Sequence, residues 1–392
     1  MSAVPGGPLT PTLSPAGGGE GAVRLPLPRA GEGRGEGIGA WTGVLVAVIA
    51  ICVLVPLANL AIPESSAFHL SDYAVALIAK IMCYAICALA MDLIWGYAGI
   101  LSLGHGLFFA LGGYAMGMYL MRQIGSDGQY RSDMPDFMVF LNWKEFPWHW
   151  ALSDSFVAQM ALVVLAPGVV AFVFGWFAFR SRIKGVYFSI ITQALTFAAM
   201  LLFFRNETGF GGNNGFTDFK RILGIPIATP GMRMTLFVIT GLTLVAAFVG
   251  ARWLMGTKFG RVLQAIRDAE GRTMFIGYDP VAYKLAIWTL SAVLCGIAGA
   301  LYVPQVGIIN PSEMSPAAGI EIAIWAAVGG RGTLVGPIVG AFFVNGAKSW
   351  FTQAFPEFWL YFLGALFIAV TLFLPQGLIG LWRRLLRKGK AA

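Results

Sequence analysis

Along the chain, apolar runs alternate with short polar stretches. The runs lie near 41–62, 73–95, 100–121, 157–179, 186–204, 234–254, 283–303, 333–352 and 357–381. A hydrocarbon layer about 30 Å thick is crossed by a helix of about 20 apolar residues, so each run predicts a membrane-spanning helix. A further run, AAGIEIAIWAAVGG (317–330), is shorter and fits either an oblique span or a segment that enters and returns. The pattern predicts an all-α, polytopic membrane bundle of about ten helices over residues 39–385.

Basic residues decide how the short run is counted, because cytoplasmic loops carry the Lys/Arg excess. Ten spans with a cytoplasmic N-terminus put 18 of the 27 Lys and Arg residues inside. These are Arg24, Arg29 and Arg34; Arg180, Arg182 and Lys184; the six from Arg252 to Lys284; Arg331; and five in the tail from Arg383 to Lys390. Seven fall outside (Arg122, Arg131, Lys144, Arg205, Lys220, Arg221 and Arg233), and Lys80 and Lys348 lie within spans. A re-entrant 317–330 would leave the basic tail, residues 386–392, outside. The expectation is a multi-pass protein of a bacterial inner membrane with both termini in the cytoplasm.

Composition agrees with that pattern. A chain 57% hydrophobic and 12% charged, with mean hydropathy +0.73, has more apolar surface than a water-soluble fold can hide. The net charge of +8 then reports orientation rather than nucleic acid. Cys52, Cys83, Cys87 and Cys295 all sit in apolar runs without a CxxC, as structural thiols do. No metal site, cofactor motif, paired carboxylates or nucleophile elbow is present to suggest a membrane enzyme. Residues 1–38 differ: they are rich in Pro, Gly, Arg and Glu, loosely repeat themselves, and contain no apolar h-region of a secretory signal. Disorder and no function are expected there.

Two predicted outer loops, about 122–156 and 205–233, exceed ordinary connections and suit a binding partner or a channel mouth. On the other side, Gly256–Leu285 reads as an amphipathic cytoplasmic helix. Val262, Ile266, Ala269, Thr273 and Ile276 recur on one face, and Arg261, Gln264, Asp268 and Arg272 on the other. Gly277 and Asp279-Pro280 end it. Such a helix suits either the membrane surface or a docking partner.

This segment resembles the coupling region of ABC importer permeases, specifically the branched-chain amino acid permease family. The matching elements are Phe259-Gly260-Arg261, Ala265-Ile266-Arg267-Asp268, Gly277 and Tyr283-Lys284. Further matches are SAVLCGIAGALY (Ser291 to Tyr302), AVGGRGTLVGPIVGA (Ala327 to Ala341), GYAGILSLGHGLFFALGGY (Gly96 to Tyr114) and GGNNG (Gly211 to Gly215), so the resemblance spans residues 41 to 382. GGNNGFTDFK and the inserted FMVFLNWKEFPW loop are similar to the second permease subunit of urea importers.

The resemblance implies a permease that forms a solute pathway with a second, different permease subunit. Two cytoplasmic ATPases would sit below, and a periplasmic binding protein would deliver the solute. The chain has no Walker A motif, since Gly340 to Ser349 lacks Gly beside Lys348, so ATP hydrolysis belongs to the partners. The coupling segment is about 256–280, with Arg261, Arg267, Asp268, Glu270 and Gly277 as candidate ATPase contacts; the plainer reading is a solvated helix face.

Ionisable groups inside spans are costly and face a bundle interior or water. Glu321, in the short Gly-flanked run, is the main candidate for the solute pathway, with Lys80 and Asp92 behind it. Its structural reading is a partner for a basic group on a neighbouring helix. Thr192, Gln193 and Thr196 supply uncharged hydrogen-bonding groups suited to urea, although Thr hydroxyls in membrane helices often bond their own backbone. Asn213 and Asn214 of GGNNG complete the pathway candidates. His105 has no second ligand near it and suits a helix start. Gly332, Gly336 and Gly340 form a small-residue ridge for close packing. Urea is the expected solute, with branched-chain amino acids the alternative within the family. A proton-coupled secondary transporter, using Glu321, Asp92 and Lys80 as a relay, is the alternative from another class.

Overall fold

The computed structural model describes residues 38–66, 68–183, 185–373 and 377–381. The N-terminal extension (residues 1–37) and the basic tail lie outside the described residues. Twelve α-helices occur among them: α1 (Ile38–Leu60), α2 (Asp72–Asp92), α3 (His105–Arg122), the short α4 (Asp136–Phe140), α5 (Phe156–Arg180), α6 (Val186–Phe203), α7 (Pro230–Gly256), α8 (Lys258–Phe275), α9 (Pro280–Val306), α10 (Pro316–Gly329), α11 (Val335–Ala354) and α12 (Trp359–Phe373). Their starts follow local chemistry. Ser71, Ser155, Asp279 and Ser315 each accept a hydrogen bond from a first-turn N–H, and Pro230, Pro280 and Pro316 open their helices.

Six helices (α1, α2, α5, α6, α7 and α9) are long and apolar enough to cross a membrane unaided. Glycine-rich α3, 14-residue α10, α11 and α12 complete the bundle beside them. The chain is a multi-pass helical membrane protein. α2, α3 and α9 form its centre and are buried over much of their length. α1, α5 and α6 turn Leu54, Leu57, Val169, Phe172 and Leu201 outward, as a lipid environment allows. The contact between α3 and α9 is backbone to backbone: a Cβ at Gly112 would fall on the Gly296 carbonyl, and one at Gly299 on the Phe109 carbonyl.

One predicted span is shorter than expected. The 100–121 run predicts a helix from its start, but α2 continues into a π-turn (Leu93–Tyr97), the chain unwinds, and α3 begins only at His105. Gly99 turns the backbone at φ +74°, where a side chain would be strained. The freed backbone groups find partners on α6. Leu103 N–H donates to Thr192 Oγ1 at 3.2 Å, and Ser189 Oγ donates to Leu101 O at 2.7 Å. Irregular backbone inside a membrane bundle needs such internal partners. His105 bridges Ser102 (3.2 Å) and Ser291 (3.0 Å) at the start of α3.

Polar contacts sort onto two ends of the bundle, as the alternation of spans requires. One end gathers the long loops. Arg122 pairs with Asp154, Arg233 with Asp72, and Arg221 with Asp127 at 2.6 Å, while Trp150 Nε1 donates to Gly209 O at 3.0 Å. Four two-residue strands, β1 (Phe216–Thr217), β2 (Arg221–Ile222), β3 (Ile225–Pro226) and β4 (Ile308–Ile309), pair antiparallel as β1–β4 and β2–β3 and stiffen this end. The opposite end holds α8, the π-turn and the Gly330–Leu334 turn.

Candidate solute pathway and coupling joints

After α9 the chain passes through β4, then turns back. Asn310 Oδ1 caps a 3₁₀ turn (Pro311–Met314), and Ser315-Pro316 starts α10 immediately afterwards. Two cap–proline starts within seven residues break the helical path and place Glu313 between them, where the Tyr302 hydroxyl donates to it at 3.2 Å. Tyr302 stacks on Tyr84 of α2 with ring centres 5.7 Å apart, and Tyr84 meets Trp325 of α10 at 4.7 Å. The Lys80 ammonium, one turn before Tyr84, lies 5.7 and 5.8 Å from the Tyr84 and Tyr302 ring centres, within cation–π range. Beyond this aromatic wall, Lys348 Nζ of α11 donates to both oxygens of Glu321 at 2.8 and 2.9 Å. Five elements thus bring two lysines, two glutamates and three aromatic rings together, with a formal charge of zero. Lys80, Tyr84, Glu313, Glu321 and Lys348 are each only partly buried. Such a face is poorly suited to lipid and well suited to a water-lined path or a partner.

The other candidates fall elsewhere. Thr192 and Thr196 are buried and donate to Ser189 O and Thr192 O on their own helix, at 2.9 Å each. Their Cβ and hydroxyl atoms lie against Gly104 of the unwound segment. Gln193 is half-buried on the same helix, and Asn213 and Asn214 are exposed at the loop-rich end. None of these five polar α6 and loop residues has a hydrogen bond to the charged cluster among the described contacts. Asp92 is fully buried, and its carboxylate accepts from Gly332 N–H (2.5 Å) and Leu334 N–H (3.0 Å), capping the turn into α11. Of the expected ridge glycines, Gly336 and Gly340 lie against Gly329 and Trp325 of α10, whereas Gly332 precedes α11 in a turn at φ +76° and faces Gly96 instead.

α8 has two kinds of polar residue. Arg261, Asp268 and Arg272 are exposed, and Gly277 ends the segment at φ +90°. Arg267 and Glu270 instead turn inward. Arg267 Nη1 donates to Gly96 O at 2.7 Å, and Lys284 Nζ of α9 donates to Glu270 Oε1 at 2.6 Å. Of the predicted apolar face, Val262, Ile266 and Thr273 are buried, but Ile276 is exposed beside Phe275, which is 93% exposed. The helix leaves helical geometry at Ala269 (φ −157°, ψ 74°), so its last turn swings away from the face that a continuous helix would have presented.

Sequence reading missed Glu313, Tyr84 and Tyr302, and counted Lys348 only as a charge within a span. Periodicity could not rank them, because their importance comes from which helices meet. The available signal was Glu313 itself, an acid between two cap–proline pairs beside an apolar run.

The sequence model of the family described as the branched-chain amino acid transport system / permease component matches residues 73–371. Over 349 residues the chain is 23% identical to the high-affinity branched-chain amino acid transport system permease protein LivM of Salmonella typhimurium, covering 83% of this chain and 75% of that one. LivM of Escherichia coli K12 is 22% identical over 324 residues, 77% of this chain and 69% of that one. The ribose import permease protein RbsC of Bacillus subtilis is 29% identical over 147 residues, 35% of this chain and 42% of that one. No solved structure matches the chain. A match across well over half of the residues, on a bundle of this architecture, means that the chain belongs to the branched-chain amino acid transport system permease component family.

Proposed function

We propose that this protein is the permease subunit of an ATP-driven importer of the inner membrane, and that its solute path runs along the Lys80–Tyr84–Tyr302–Glu313–Glu321–Lys348 face. The observation that carries this is the cluster's internal neutrality. Glu321 is already paired with Lys348, Glu313 with the Tyr302 hydroxyl, and Lys80 with two ring faces. A neutral solute with N–H donors and a carbonyl acceptor can bridge such groups without separating an ion pair. Urea is that kind of solute, and the GGNNGFTDFK run and the inserted 137–148 loop favour it as well. A second permease subunit would close the path, two ATPases would dock on the exposed side of α8, and a binding protein would dock on the loop-rich end, with both termini cytoplasmic.

A second reading, branched-chain amino acids, is favoured by the names of the LivM relatives. Reconstitution with partner permease, ATPases and binding protein in liposomes separates the two. Labelled urea should accumulate only with ATP, and leucine should neither accumulate nor compete. Uptake of leucine in place of urea would replace the solute assignment. Uptake that ignores ATP but collapses with an uncoupler would instead support the proton-coupled transporter and overturn the whole reading.

A further inference from the structure

Two hydrogen-bonded joints tie α8 to the rest of the bundle. In the first, the Arg267 guanidinium, 13% exposed, holds the Gly96 carbonyl in the π-turn after α2, while its stem covers Gly99. Gly96 is itself wedged: a Cβ there would collide with the Asp92 carboxylate and with the Gly332 backbone. The Asp92 carboxylate binds Gly332 and Leu334, and Arg331 lies over Trp95 at 5.3 Å. Arg267, the π-turn, Asp92 and the Gly330–Leu334 turn therefore form one contiguous block. That turn joins α10 to α11, which pack through Gly329, Gly336 and Gly340 and carry Glu321 and Lys348. The second joint, Glu270 to Lys284, leads to α9, which carries Tyr302. The break at Ala269 falls between the two joints.

We propose that Arg267 and Asp92 are positioning residues that carry the motion of α8 to the α10–α11 hairpin, separately from the Glu270–Lys284 joint that carries it to α9. The two segments of α8 then hold two walls of one path, the hairpin with Glu321 and Lys348 on one side and α9 with Tyr302 on the other. A motor stroke that bends α8 at Ala269 shifts these walls relative to each other and changes access to the cluster between them. Rigid, closely packed helices transmit such a shift because packed interfaces have discrete arrangements rather than continuous give. The proposal rests on the ATP-driven reading above.

The test uses the assembled importer in liposomes and measures solute taken up per ATP hydrolysed. Arg267→Met keeps the stem and removes the donor; Asp92→Asn keeps the shape and removes one acceptor. Both variants should assemble with the ATPases and hydrolyse ATP within about twofold of the parent rate, while uptake per ATP falls at least tenfold. Arg267→Lys, which retains charge and reach, should recover part of that ratio, and it reports on the joint if Arg267→Met fails to accumulate. An unchanged ratio in the variants overturns the inference. So does a proportional fall in hydrolysis and uptake, which would mean that these residues only support docking. If the parent importer itself takes up solute without ATP, the functional reading fails instead, and the ratio is never reached.

Discussion

The Lys348 ammonium touches both carboxylate oxygens of Glu321, at 2.8 and 2.9 Å, and joins α11 to α10 inside the bundle. Removing one partner of such a pair leaves the other charge without compensation. Water reduces the penalty here, because the side chains are 38% and 19% exposed. Glu321→Gln and Lys348→Met should each cost about 1–3 kcal/mol, and the double variant less than their sum. Thermal unfolding of the detergent-purified protein reads this. Strictly additive losses would mean that the two residues act independently.

Glu313 accepts from the Tyr302 hydroxyl and faces the cluster. A carboxylate that also accepts a solute N–H contributes a charge-assisted hydrogen bond, so Glu313→Gln should raise the KM for uptake on the order of tenfold, about 1.4 kcal/mol. Initial-rate uptake over a range of urea concentrations measures it. An unaltered KM would place the solute elsewhere.

Phe275 stands almost fully exposed at the tip of α8, next to exposed Met274 and Ile276. A lone exposed aromatic at a docking surface behaves as an anchor. Phe275→Ala should weaken association with the ATPase subunits by roughly tenfold or more, as read by titration of the purified ATPases onto the immobilised permease. Retained affinity would remove this tip from the interface.

The α3–α9 contact has no room for a side chain at Gly112, whereas Gly43 on α1 has open space around it. Overpacking at a close backbone contact costs about 1–3 kcal/mol or more. Gly112→Val should therefore sharply lower the amount of folded protein in membranes, and Gly43→Val should leave it near the parent level. Fluorescence-detected size exclusion of detergent extracts compares them.

His149 stacks on Phe210 in the loop-rich end, and burial holds its imidazole below the ordinary value, against an opposing hydrogen bond to the Thr208 backbone. The unfolded chain then binds the proton more readily than the folded one. Stability from this group is present above the ordinary value of about 6.5 and is lost as pH falls below it. The melting midpoint should drop between pH 7 and pH 5, and His149→Phe should flatten part of that drop. Parallel curves for the two proteins would exclude His149 as the titrating group.

Much of the architecture was legible in sequence because lipid imposes a one-dimensional rule: about 20 apolar residues per crossing, with polar groups at the ends. The runs of α1, α5, α7 and α9 announce themselves this way, and so does α8 through the alternation of its two faces. The start of α3 was not legible. Residues 100–104 are as apolar as a helix, and what unwinds them is Gly99 in a left-handed turn together with hydrogen bonds supplied by Ser189 and Thr192, some ninety residues away.

By itself, the sequence determined that this is a helical membrane protein with a two-faced helix at one end, since composition and period need no partners to be counted. Tertiary structure alone decided the roles of single polar residues. Asp92, a pathway candidate by its position in a span, is a cap on a turn 240 residues later. Arg267 and Glu270, candidate ATPase contacts by resemblance, bond instead to Gly96 and Lys284. Glu313 gains its place only because α2, α9, α10 and α11 converge around it. Hydrophobic burial is short-ranged in its demands and leaves its mark on every segment, whereas a hydrogen bond needs one particular partner, and only the folded chain supplies it.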